Sequence, residues 1–257
     1  MSDPQPDDSV RLEIENPDHE TKKLPDRVYV RRPMIGSAIR RVLARTRTRL
    51  YSLTPRERTA ARFKRTMEKN DLGAFQTMYA NPKYLELYLD PERLAFYEHL
   101  SDTIATFIDF SHPDLSYLDV GCGTGHLMDA IRRRGMTGTI VGCDYAATAS
   151  QVVREVCPGA RFEIRDVYKL GITTAYDFIT CCETLEHLKY PEQAISNMLA
   201  AVKPGGKLFL TVPDGRKDTW EGHIHFWSPE SFALLLERFG RCETLYVDNC
   251  NFGVIFR

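Results

Sequence analysis

Long hydrophobic runs are missing from this chain of 257 residues. No apolar stretch approaches the ~20 residues that a helix needs to cross a bilayer. The leading decapeptide, MSDPQPDDSV, is acidic and polar, and it lacks the basic and apolar segments of a secretory signal. No Cys-x-x-Cys pair occurs, and the seven cysteines are an odd number. A disulfide framework is therefore not expected, and free thiols in a reducing cytoplasm are. No internal repeat is visible. What remains is 43% hydrophobic and 27% charged, the composition of a globular chain long enough for one large domain with an appendage.

The net charge of −1 hides an asymmetry. From Arg31 to Arg65 twelve Lys or Arg stand against one acid, Glu57. Such a basic segment suggests an anionic partner, a carrier or a membrane surface, or else a solvated helical face or an arm that pairs two copies of the chain. Residues 1–30 are rich in Pro, Asp and Glu without periodicity and read as a disordered tail. Residues 31–92 read as a basic helical arm or lid, with a break near Thr54-Pro55 and helices over 75–110. The aromatics there, Phe75, Tyr79, Tyr84, Tyr88, Phe96 and Tyr97, read as core.

From Tyr117 onward the pattern changes. Short apolar runs near 116–120, 138–143, 160–165, 176–182, 206–213, 242–248 and 251–257 read as strands. Helical segments near 125–134, 147–156, 191–203 and 228–239 alternate with them. This alternation predicts an α/β fold, a mostly parallel sheet with helices on both faces, over a domain spanning 93–257. The last two runs follow each other without a helix, which predicts an antiparallel hairpin.

The first run closes on a glycine loop, Leu118-Asp119-Val-Gly121-Cys122-Gly123-Thr-Gly125. Glycines here permit a tight turn and a close approach of a ligand to the backbone. Asp119 precedes the loop, Asp144 ends the second strand and Asp166 follows the third. An acid at the second position can receive both hydroxyls of a ribose, and one at the third can meet an adenine amino group. The loop lacks the Gly-x-Gly-x-x-Gly spacing of a nicotinamide-dinucleotide site.

These motifs, with Val202-Lys-Pro-Gly-Gly-Lys-Leu-Phe-Leu-Thr-Val-Pro213 at the fifth strand, resemble the class I S-adenosylmethionine-dependent methyltransferases. The resemblance implies a Rossmann-like seven-stranded sheet of order 3-2-1-4-5-7-6, with the seventh strand antiparallel. It implies S-adenosylmethionine as cofactor, with Asp119, Gly121, Cys122, Gly123 and Gly125 beside the methionine moiety. Asp144 and Tyr145 would lie at the ribose, Asp166 and Val167 at the adenine, and Cys182 at the edge of the fourth strand.

The fourth strand runs into Glu183-Thr-Leu-Glu186-His187-Leu188. A helical turn beginning here would set Glu183, Glu186 and His187 on one face. Three readings are open: His187 as general base oriented by a glutamate, a divalent metal site with oxygen and nitrogen ligands, or a structural turn. A second stretch, Asp214-Gly-Arg-Lys-Asp-Thr-Trp-Glu-Gly-His223-Ile-His225-Phe-Trp227, adds two histidines on the loop after the fifth strand.

Together, Glu-x-x-Glu-His and the later histidine resemble two groups. One is the metal-dependent 2′-O-methyltransferases of small-RNA 3′ ends, and the other is the ubiquinone-pathway O-methyltransferases, whose acceptors are catechols. That likeness implies Mg²⁺ or Mn²⁺ on Glu183, Glu186, His187 and His223, with His225 as competitor. It implies an acceptor with neighbouring oxygens, a sugar, polyol or catechol. RNA is the less favoured acceptor, because no RNA-binding module is recognisable and the arm lacks interleaved aromatics. A non-catalytic binding protein on a degenerate methyltransferase fold is the contrasting class.

Overall fold

The computed structural model describes residues 54–257. The tail read over 1–30 and the basic stretch before residue 54 lie outside the described residues. The described residues form one compact unit. No helix among the described residues is long and apolar enough to cross a membrane.

Four helices open this unit: α1 (Pro55–Met67), α2 (Leu72–Ala80), α3 (Pro82–Tyr88) and α4 (Pro91–Ala105). Each begins where its sequence supplies a cap. Thr54 and Glu57 form a capping box on α1, and Asp71, Asn81 and Asp90 accept backbone N–H groups at the next three. These side chains satisfy amides that the first helical turn leaves without a partner. The break expected at Thr54-Pro55 is thus a helix start.

The sheet contains β1 (Ser116–Val120), β2 (Thr139–Asp144), β3 (Arg161–Ile164), β4 (Tyr176–Cys182), β5 (Val202–Pro213), β6 (Cys242–Val247) and β7 (Cys250–Phe256). Their order is 3-2-1-4-5-7-6. β1 to β5 pair in parallel and β7 runs antiparallel to β5 and β6, as the missing last helix required. Helices α5 (His126–Arg133), α6 (Ala149–Val156), α7 (Pro191–Ala201) and α8 (Pro229–Glu237) fill the crossovers. Parallel strands linked this way are covered on both faces, so their side chains alternate between two apolar layers. On one face Tyr117, Phe178, Phe209 and Phe252 pack under α4 and α5, and the Tyr117 and Phe178 rings stack at 4.5 Å. On the other, Leu118, Ile179, Leu208 and Leu210 meet α7 and α8.

Two details depart from expectation. β5 starts at Val202 rather than near 206, because Val202 pairs with Tyr176 before a register shift. The turn after β4 is a 3₁₀ turn, Leu185–His187, rather than an α-helical one. Glu183 precedes it in the left-handed region, at φ 48°. It therefore does not share a helical face with Glu186 and His187.

Candidate active site

The carboxyl ends of the parallel strands open onto a cavity of about 720 Å³ at the β1/β4 boundary, where the strand order reverses. Ligands in open α/β sheets bind at that switch point. Its walls include the glycine loop, Asp119, Asp144, Asp166, Cys182, Glu183, Glu186, His187 and His223. Helices α1 to α4 supply the facing wall, among them Phe75, Tyr79, Tyr88 and Tyr97. These four were expected to be core; Tyr79 is buried and the others pack against the core, and each also lines the cavity. Tyr84 and Phe96 are indeed buried away from the cavity.

The loop owes its shape to two glycines. Gly121 sits at φ 72°, and a Cβ there would lie 2.4 Å from Thr184 Oγ1. Gly123 sits at φ 50°, under the Tyr79 hydroxyl. Its N–H donates to Asp144 Oδ2 at 3.1 Å, and Ala146 N–H donates to Asp144 Oδ1 at 2.8 Å. Asp144 thereby fixes both the glycine loop and the turn after β2. Burial pushes its carboxyl up to about 6. Asp119 accepts from Thr180 Oγ1 at 2.6 Å, and burial pushes it up to about 7. Both are buried acids with lone pairs left on the cavity side, suited to donors or positive charge on a ligand. Asp166 accepts from Tyr168 N–H at 2.9 Å and is exposed, with Val167 beside it on the cavity wall. Tyr145 is 41% exposed and meets Phe75 edge-on at 5.8 Å.

The fold assembles a second cluster on the cavity floor. Glu186 carbonyl oxygen accepts from Ile224 N–H at 2.9 Å and pins the loop after β5 to the 3₁₀ turn. The His187 and His223 rings then stand 4.7 Å apart. Glu186, His187 and His223 each offer a donor atom within 4.8 Å of the others. Glu186 Oε2 and His187 Nδ1 are buried and have no hydrogen-bond partner. Each such orphan costs about 1–3 kcal/mol. Burial, with Glu183 nearby, pushes the Glu186 carboxyl well up. Burial and His223 push His187 down to about 4, so its imidazole is neutral at pH 7. Three donor groups converge closely enough for one ion, and two of them carry unpartnered buried atoms, so the residues fit a divalent metal. Asp218, which was not singled out from the sequence, holds His223 Nδ1 at 2.5 Å. A carboxylate there fixes the ring and leaves the other nitrogen for a ligand.

Glu183 and His225 stand outside this cluster. Glu183 accepts from Thr211 Oγ1 at 3.1 Å on the β5 side of the cavity. His225 places Nε2 2.9 Å from the Leu188 carbonyl oxygen and stacks on Trp227 at 5.0 Å.

A methyltransferase-domain family model matches residues 91–241. The chain belongs to the methyltransferase-domain family. Its sheet order is that of the class I S-adenosylmethionine-dependent methyltransferases. The ubiquinone biosynthesis O-methyltransferase of Idiomarina loihiensis is 29% identical over 155 residues, 55% of this chain and 59% of that protein. The one from Coxiella burnetii is 35% identical over 100 residues, 37% of this chain and 42% of that protein. The chain thus spans about half the length of these curated relatives. Among solved structures, the plantazolicin methyltransferase BpumL, in complex with a triazolic desmethylPZN analog and SAH, is 11% identical with a TM-score of 0.57, covering 76% of this chain and 98% of its own. A SAM-dependent methyltransferase from Aquifex aeolicus is 20% identical with a TM-score of 0.54, covering 68% and 97%. At these identities the likeness is one of fold. The methyltransferase domain as matched begins at residue 91, so α1 to α3 lie ahead of it and still wall the cavity.

Proposed function

We propose that this methyltransferase transfers a methyl group to a hydroxyl of a small molecule with two neighbouring oxygens, aided by a divalent metal on Glu186, His187 and His223. The observation that carries this reading is the cluster itself, three donor groups with two orphaned buried atoms, facing the same cavity as the glycine loop. The names of the curated relatives, O-methyltransferases of ubiquinone biosynthesis, point the same way.

When bound, S-adenosylmethionine supplies an electrophilic methyl group, and a divalent ion supplies the charge that makes an acceptor hydroxyl acidic at neutral pH. The chain's own residues do the rest. Asp119 and the Gly121–Gly125 loop receive the amino-acid end of the cofactor. Asp144 receives the ribose hydroxyls, with Tyr145 beside them. Asp166 and Val167 border the adenine, and Cys182 backs the sulfonium end. His187 presents a neutral imidazole, the form that ligates, and His223 offers a second nitrogen beside it. Two imidazoles and a carboxylate suit Mn²⁺ better than Mg²⁺, which prefers oxygen ligands. Glu183, held outside the ligand cluster, has its carboxyl raised by burial. It is placed to take the hydroxyl proton, since a raised carboxyl is the stronger base. His187 with its lowered basicity is the poorer candidate for that role.

The test is methyl transfer from labelled S-adenosylmethionine to catechol and polyol acceptors, with Mn²⁺ and with EDTA. Transfer to an acceptor oxygen that EDTA abolishes is expected. Transfer undiminished by EDTA would leave the metal without a role, and transfer to nitrogen or carbon alone would refute the reaction class.

A further inference from the structure

Arg93 carries a charge that the proposed chemistry does not use. It sits in the first turn of α4, its N–H donating to Asp90 Oδ1 at 2.8 Å, and its side chain enters the cavity. The guanidinium lies over the Tyr88 ring, 4.4 Å from the centroid. Tyr97 is its hydrogen-bonding neighbour. It feels the charge of Glu183 but forms no ion pair among the described residues. Glu183 takes its hydrogen bonds elsewhere, from Thr211 and the Cys250 thiol. Arg93 thus lines the cavity with no carboxylate paired to it among the described residues. A guanidinium in a poorly solvated wall is costly unless an anion meets it.

The surrounding wall says what body carries that anion. Phe63, Met67, Phe75, Tyr88 and Trp220 line this side. Phe75 packs edge-on to His187 at 5.5 Å, so the aromatic wall reaches the ligand cluster. A flat unsaturated ring finds faces to stack on, and a fixed planar fork matches a planar carboxylate.

We propose that the acceptor is an aromatic acid, its ring held by the aromatic wall and its carboxylate by Arg93, with its hydroxyls turned to Glu186, His187 and His223. This rests on the reading of the cavity as an acceptor site, and it narrows sugar, polyol and catechol to a carboxylated catechol class.

The test is calorimetric binding of protocatechuate and of its methyl ester to the full chain loaded with S-adenosylhomocysteine and Mn²⁺. The two probes share ring and hydroxyls and differ in the charge. The acid is expected to bind about 10- to 100-fold more tightly than the ester. Arg93→Gln should bring the two affinities together by weakening the acid alone, and Arg93→Lys should restore only part of the preference. Equal binding of both probes to the wild type overturns the proposal, as does binding of neither. So does an Arg93→Gln protein that loses both probes alike and melts earlier, which would make Arg93 a counter-charge for Glu183. Binding is read without turnover, so the two readings fail separately. A chain that binds the acid through Arg93 but methylates no hydroxyl sinks the O-methyl transfer and leaves this inference standing.

Discussion

Asp144→Asn isolates what a single carboxylate does for cofactor binding. In the free protein the side chain already holds Gly123 N–H at 3.1 Å and Ala146 N–H at 2.8 Å. Asparagine is nearly isosteric, so its amide oxygen keeps one of these bonds while its NH₂ faces the other donor. One backbone bond is lost with it, and the rest of the loss falls on the ribose. There a charged acceptor for two hydroxyls becomes a neutral one. A hydrogen bond to a charged group is worth about 1.5–3 kcal/mol. At about 1.4 kcal/mol per tenfold, Kd for S-adenosylhomocysteine should rise about 10- to 150-fold. Calorimetric titration at pH 7.5 reads this directly, and a thermal melt of the free protein checks that the fold survives. A Kd within about threefold of wild type, with an unchanged melting temperature, would refute the ribose role. A large fall in melting temperature would instead show that the two backbone bonds dominate.

Other consequences follow from the same geometry. Because burial raises Asp144 to about 6 and Asp119 to about 7, both bind protons in the free protein as pH falls through that window. The ionised forms are the ones that accept ribose hydroxyls or pair with an amino cation, so calorimetry should find S-adenosylhomocysteine affinity falling as pH drops from 7.5 to 5; a flat profile would contradict this. Gly121→Ala places a Cβ 2.4 Å from Thr184 Oγ1 at a positive φ. Conformation alone costs about 1–2 kcal/mol, so the melting temperature and cofactor affinity should both fall, with partial recovery on adding Thr184→Ala. Asp218→Asn, by releasing His223, should weaken Mn²⁺ binding about 10- to 100-fold while leaving S-adenosylhomocysteine affinity unchanged; equal loss of both would make Asp218 a general scaffold residue.

The central strands after Tyr117, β1, β2, β4, β5 and β7, were legible because each holds a short apolar run buried in the sheet. Asp119, Asp144 and Asp166 could be placed because each ends or follows a strand at the carboxyl edge. The turn at Glu183 was less legible. Its left-handed φ and the 3₁₀ turn after it are set by pinning to the loop after β5, through Glu186 and Ile224, which are far apart in sequence. The same pinning brings the His223 ring, and not that of His225, within reach of Glu186 and His187. Arg93 and Asp218 escaped notice because an arginine among helical aromatics and an aspartate in a polar loop look ordinary until the fold turns them into the cavity.

The measurement that bears most directly on the account is a Mn²⁺ titration of the chain loaded with S-adenosylhomocysteine, followed by the Mn²⁺ paramagnetic resonance signal, on wild type, Glu186→Gln and His187→Ala. One ion bound per wild-type chain, and none in either variant while both still bind S-adenosylhomocysteine, is the predicted result. Absence of Mn²⁺ binding by the wild type, or binding that survives both substitutions, would contradict a metal-assisted methyl transfer at this site.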